Sequence, residues 1–165
     1  MTLNFRIQKQ YLTNWCWAAT ASSISHYYSQ FNNAFFWRQE DIGAQLLGMP
    51  FCRTTPDRLG GLPQCNQQAD LITALRITQN FNGWQNNPVT LNALYNEVNN
   101  FRPVCCQIFF AEHNLSHFVT VFGYNGNNIV LGDPQVGNYE VDYNAFLANY
   151  RSGQWIRTYA TTRAV

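Results

Sequence analysis

The spacing of hydrophobic positions changes near Pro103. Before it, apolar residues recur every three or four positions, the interval that keeps one helix face apolar. From Asn14, the series Trp15, Ala18, Ala19, Ala21, Ile24, Tyr27 and Tyr28 predicts a first helix with a broad buried face. Asn14 suits its N-cap, because its side chain can accept from backbone donors one turn on. Shorter helices are predicted over residues 39–47 with Gly48 as stop, over 68–78, and over 91–101 behind Thr90.

After Pro103 the apolar residues form short runs of strand length. Residues 104–110, 118–124 and 128–132 read as strands, with NGNN as the turn joining the last two. Residues 139–141 predict another strand, Asp142 caps a short helix in YNAFLANY, and residues 154–159 predict a closing strand. Helices first and antiparallel strands second define an α+β class, with a cleft expected between the two halves. No repeat or low-complexity linker divides the chain, so residues 1–165 read as one domain.

Composition narrows the function. A 46% hydrophobic and 16% aromatic content supports a packed core. With 12% charged residues and a formal net charge of +1, the chain has no electrostatic grip on nucleic acid or an anionic membrane. Its polar surface is built mainly from Asn and Gln. No apolar run reaches membrane-spanning length, and MTLNFRIQKQ lacks the apolar core and cleavage site of a secretory signal. We therefore expect secretion or delivery into another cell by a non-classical route, with the cytoplasm as the alternative.

Five cysteines make an odd count. Cys52 and Cys65 bracket CRTTPDRLGGLPQC, a Pro- and Gly-containing loop that a disulfide would close in an oxidising compartment. Cys105 and Cys106 are neighbours in a strand, so their side chains should enter opposite faces as buried thiols. No CxxC pair or Cys/His metal spacing occurs, and neither a metal nor another cofactor is expected.

Cys16 remains, between two tryptophans at the predicted start of the first helix. A buried cysteine can be a small hydrophobe and nothing more. At a helix start, however, unpaired N–H groups and the helix dipole favour negative charge, and the thiolate is the reactive form of a cysteine. A nucleophile of this kind needs a base. His26 lies ten residues along the same helix, roughly 15 Å away along the axis, and cannot reach. His113 and His117 lie between two predicted strands; His117 adjoins the second strand, which would hold it more firmly, so it is preferred. Asp133, at the end of the next strand, returns to the level of His117 by hairpin geometry and can orient its ring; its alternative role is to begin an Asp-Pro turn. The Cys16 N–H and the side-chain amide of Gln10, six residues upstream, are candidate oxyanion donors.

With Gln10, Cys16, His117 and Asp133 in this order, the chain resembles the papain-like cysteine peptidases. QYLTNWCWAA is similar to their glutamine-to-cysteine segment. HFVTVFGYNGNNIVLGDP is similar to the His–strand–turn–strand–Asp-Pro segment of compact bacterial relatives. Those relatives are leader-processing peptidase domains of peptide exporters and secreted avirulence effectors. Asp as third member, and a histidine nearer the cysteine than in plant-type papains, both favour that branch. Residues 31–85 match no part of the pattern.

The resemblance implies a papain-like fold and hydrolysis of a protein or peptide substrate through a thioester. It also implies a monomeric bacterial effector or toxin and, for effectors of this kind, an activating host factor. Trp15 and Trp17 would pack in the core, shield the catalytic pair or line a substrate subsite. Two rival functions use the same scaffold: a glutamine deamidase or transglutaminase-like acyl transferase, and a binding module without activity. A third reading keeps Cys16 as core in a structural protein.

Overall fold

A computed structural model describes residues 1–33 and 35–165. The helices are α1 (Cys16–Ser29), α2 (Gln39–Leu47), α3 (Pro56–Leu59), α4 (Leu71–Ile77), α5 (Leu91–Asn99) and α6 (Tyr143–Ala148). The strands are β1 (Phe81–Gln85), β2 (Val104–Phe110), β3 (Leu115–Asn125), β4 (Asn128–Asp133), β5 (Gly137–Asp142) and β6 (Gln154–Thr161). They form one antiparallel sheet in the order β1-β6-β2-β3-β4-β5. The α+β class stands, with the helical half first.

Strand alternation sorts side chains into two cores. Phe118 and Phe122 of β3 join α1, α2 and α4 in one cluster, while Val119 and Val121 join Leu94 of α5 and Phe146 of α6 in the other. Because both faces are covered, β3 reads as a nearly continuous apolar run. Cys105 belongs to the first cluster and Cys106 to the second, as their adjacency predicts. Burial pushes the Cys105 thiol up to about 12 and raises Cys106 as well, so both are inert core residues.

Local chemistry sets the element ends. Asp70 accepts from the N–H groups of Ile72 and Thr73, so α4 begins at Leu71 rather than at residue 68. Thr90 accepts from Ala93 N–H as expected, but α5 stops at Asn99, and Phe101 turns left-handed at φ 59°. Gly48 ends α2 in the left-handed conformation at φ 66°, the role its sequence position predicts.

The α1 cap and strand β1 also depart from expectation, as do α3 and the start of β3 at Leu115 rather than at residue 118. Asn14 is not the α1 cap: Trp15 holds that position without a side-chain cap bond, because both the backbone and the side chain of Asn14 are taken by Asn66. Strand β1 was not expected, since FNGWQ contains neither alternation nor a β-branched residue. Its pairing with β6 holds it, across an irregularity between Phe81 and Trp84 that uses Gly83 at φ 118°.

Candidate active site

Cys16 is the first residue of α1 and is buried beneath the surface of the cleft. Among the described residues nothing in the protein accepts from its backbone N–H, the normal condition of a first-turn donor. The residues around it are held by one strap. Trp15 Nε1 donates to Cys65 O at 2.7 Å, and Trp17 Nε1 donates to Gln67 O at 3.0 Å. Between them, Asn14 N donates to Asn66 Oδ1 at 2.9 Å and Asn66 Nδ2 donates to Thr13 Oγ1 at 2.8 Å. The Cys52–Cys65 disulfide closes the loop that ends in this strap. The bridge that the sequence allowed but left undecided is formed, and the unmatched middle of the chain gains a task.

Both tryptophans are 0% exposed, so neither lines a substrate subsite; that expectation is corrected. Their rings are core, and their indole N–H groups fasten the nucleophile segment to the strap. Gly43 of α2 makes room for one of them: a Cβ there would stand 2.5 Å from Trp15 Cη2.

His117 lies near the start of β3, opposite Ile108 of β2, and is 7% exposed. Its Nε2 is 2.7 Å from Oδ1 of Asp133, the last residue of β4. The Nδ1 atom is left as the ring nitrogen for Cys16, with which His117 shares a cavity of about 100 Å³. The hairpin geometry inferred from NGNN therefore does bring Asp133 to His117.

Burial alone would depress the imidazole. The hydrogen bonds to Asp133 and Cys16 and their charges outweigh it and raise His117 from its ordinary value to about 9. Burial likewise works against an ionised Asp133. The His117 hydrogen bond and charge, the Tyr150 hydroxyl and the Gln135 N–H prevail and hold its carboxyl below the usual range. At neutral pH the stable pairing is thus imidazolium beside carboxylate.

The other candidates fall elsewhere. His26 is exposed and meets Phe36 at a tilt, with ring centroids 4.9 Å apart. His113 shares an outer cavity with His117 and Asp133, but it is exposed. Gln10 is fixed by its backbone N–H to Pro134 O at 3.0 Å, next to Asp133. Its side-chain nitrogen donates to Leu12 O at 3.0 Å and to Thr13 O at 2.7 Å, while Oε1 is buried without a protein partner. Both amide protons are therefore engaged in this conformation.

Sequence reading missed several residues. Gln68, Ser116 and Gln135 line the cavity over Cys16 and His117. A depression of about 280 Å³ shares Gln68 and Ser116 with it, and another of about 220 Å³ shares His117 and Gln135. The cavity at the sulfur, the smallest of the three, shares walls with both of the others. Gln135 had a readable signal, two residues after Asp133 in a turn where the carboxylate can accept its N–H. Gln68 and Ser116 had none.

A buried sulfur at a helix start, beside an imidazole held by a buried carboxylate, supplies the parts of a thiol hydrolase, here on a papain-like α+β frame. Residues 2–161 match the model of the Peptidase_C39-like family, so the chain belongs to that family and is a cysteine peptidase acting on protein or peptide. No curated protein matches the chain.

Proposed function

We propose that the protein is an endopeptidase that works through a Cys16–His117–Asp133 triad and a thioester. The observation that carries this reading is the 2.7 Å bond from His117 Nε2 to Asp133 Oδ1, which leaves Nδ1 for the sulfur. The Cys16 thiolate attacks the scissile carbonyl carbon, forming the S–C bond as the carbonyl π electrons move onto oxygen. The imidazolium gives its proton to the leaving amine as the C–N bond breaks. Neutral His117 then takes a proton from water, which attacks the thioester and releases Cys16. Asp133 stabilises the imidazolium and fixes the tautomer.

The open Cys16 N–H is the first oxyanion donor. Gln10 is the second, its amide turning from Thr13 O toward the substrate oxygen; the unpartnered Oε1 leaves it no acceptor bond to break. A disulfide supports residence in an oxidising compartment, and with it the proposal of a secreted bacterial effector or toxin.

Mass spectrometry of a protein mixture treated with the enzyme tests the reading. Backbone cleavage that disappears in Cys16→Ala is expected. Intact backbones carrying the small mass gain of Gln-to-Glu conversion would make the protein a deamidase with the same catalytic groups. No change in either would leave a binding module.

A further inference from the structure

Asp133 has two carboxylate oxygens with different neighbours. Oδ1 accepts from Gln135 N at 2.8 Å and faces His117 Nε2 at 2.7 Å. Oδ2 faces away from the histidine and accepts from the Tyr150 hydroxyl at 2.5 Å. Arg151 Nη1 is the next nearest cation, 4.0 Å from the same oxygen on a side chain that is 53% exposed. Behind Tyr150, the Tyr139 hydroxyl donates in turn to the Tyr150 oxygen.

We propose that Tyr150 is a positioning residue for catalysis: its hydroxyl pins Oδ2 so that Oδ1 stays aimed at His117, with Tyr139 aligning that hydroxyl from behind. This inference rests on the triad reading and extends it outward by two residues.

Three features argue for it. A carboxylate held at one oxygen can swing about its side-chain bond, whereas one held at both oxygens has a fixed plane. Tyr150 itself is held: it is 4% exposed, its ring meets buried Phe146 edge-on at 5.3 Å, and its backbone exchanges hydrogen bonds with Gly153. The turn between these partners puts Arg151 at φ 51° and Ser152 at φ 76°, left-handed conformations that residues with side chains rarely adopt. Gly153, at the end of the turn, lies so close to β2 that a Cβ would stand 2.5 Å from Ile108 Cγ2. The corner is thus clamped against the sheet, with the hydroxyl directed at the carboxylate. Burial, the hydrogen bonds to Asp133 and Tyr139 and the Asp133 charge all raise that hydroxyl, which favours its role as a donor.

The test is a pH titration of the full-length protein labelled with ¹³C at histidine Cε1, read by NMR. The His117 signal is identified by its loss in His117→Gln. Tyr150→Phe keeps the ring and removes the hydroxyl, and Tyr139→Phe removes only the outer donor. In the wild type His117 should titrate near 9. Losing the hydroxyl leaves a more basic carboxylate, which by itself would raise His117. If Tyr150 aims Oδ1, lost alignment dominates, and the midpoint in Tyr150→Phe should fall by about half a unit or more, with a smaller fall in Tyr139→Phe. A rise in either variant overturns the proposal. A purely space-filling role for Tyr150 would not move it.

A wild-type midpoint near 9 that neither variant shifts overturns the proposal and leaves the triad standing. A wild-type His117 that titrates at its ordinary value removes the Asp133–His117 pairing, and the proposal goes with it. If Tyr150→Phe does not fold, Tyr139→Phe decides: an unshifted midpoint there overturns the two-residue relay.

Discussion

His117 carries a proton that has two uses, one in the resting site and one in turnover. In the proposed triad, the imidazolium held between Asp133 and Cys16, with His117 raised to about 9, is the acid that releases the amine. We expect kcat/KM on a cleaved peptide to fall as pH rises through about 9, because deprotonated His117 has nothing to donate. A rate that stays flat well beyond that pH would assign the acid to another group. Replacing Cys16 with Ala should abolish cleavage. His117→Ala should do nearly the same, by roughly 10³-fold or more, with a cooperative thermal transition retained in both, at a lower temperature in His117→Ala because buried Asp133 loses its partner. Substantial residual turnover in His117→Ala would point to His113. Asp133→Asn should slow turnover less than loss of Cys16, since the nucleophile and acid remain; an unchanged rate would make Asp133 a turn residue only. At this scale the meeting of His117 with Asp133 beside Cys16 was legible because each proposed role demands a residue type and the chain offers few His and Asp residues. Tyr150 was not, because one tyrosine near a helix end differs in no way from another until its partner is located.

The elements explain why the nucleophile sits where it does. Helix α1 could be read from its spacing, although the structure buries it on nearly every side, Thr20, Ser22, Ser23 and Ser25 included; α2 and the first turns of α5 were read the same way. The strap at residues 65–67 has no periodicity, and its hold on residues 13–17 spans fifty positions, beyond the reach of local pattern. The same gap hid the reason for paired tryptophans: they are anchors, with ring centroids 5.8 Å apart in the core. Opening the disulfide by replacing Cys52 and Cys65 with Ser should destabilise the protein by about 3 kcal/mol, the loop-closure value for a loop of this size. Urea denaturation measures it, and no loss would mean the strap holds without its covalent tie. Gly43→Ala places a methyl 2.5 Å from the fully buried Trp15 ring, so α2 or the indole must shift. It should cost roughly 1–3 kcal/mol by the same denaturation measurement. Stability equal to wild type would show that α2 can shift away from α1.

Across the molecule, the sheet carries the acid pair and the helical layer carries the sulfur, so the site exists only when the two halves dock. This couples folding to the protonation of His117. The folded state holds that proton more tightly than the unfolded chain, so its contribution is complete below the ordinary value of 6.5 and disappears as pH rises through about 9. Asp133 acts on the other side: its carboxyl is depressed from 3.8, so its contribution is present above that value and is lost as pH falls through the folded value. The melting temperature should therefore decline between pH 6.5 and about 9, with a smaller decline in Asp133→Asn. Equal declines in both proteins would separate stability from the pair. The α+β layout was legible because helix and strand patterns lie in separate halves of the chain. Strand β1 and the disulfide-bound middle were not, because their order comes from partners distant in sequence.

One measurement bears on the central claim without requiring a known substrate. The protein carries three free thiols, at Cys16, Cys105 and Cys106, and burial raises the last two far from reactivity. Treatment with a thiol-directed epoxide at neutral pH, followed by peptide mapping, should place the adduct on Cys16 alone and much faster than on free cysteine. The rate should collapse in His117→Ala. An unmodified Cys16, or a rate indifferent to His117, would contradict the account.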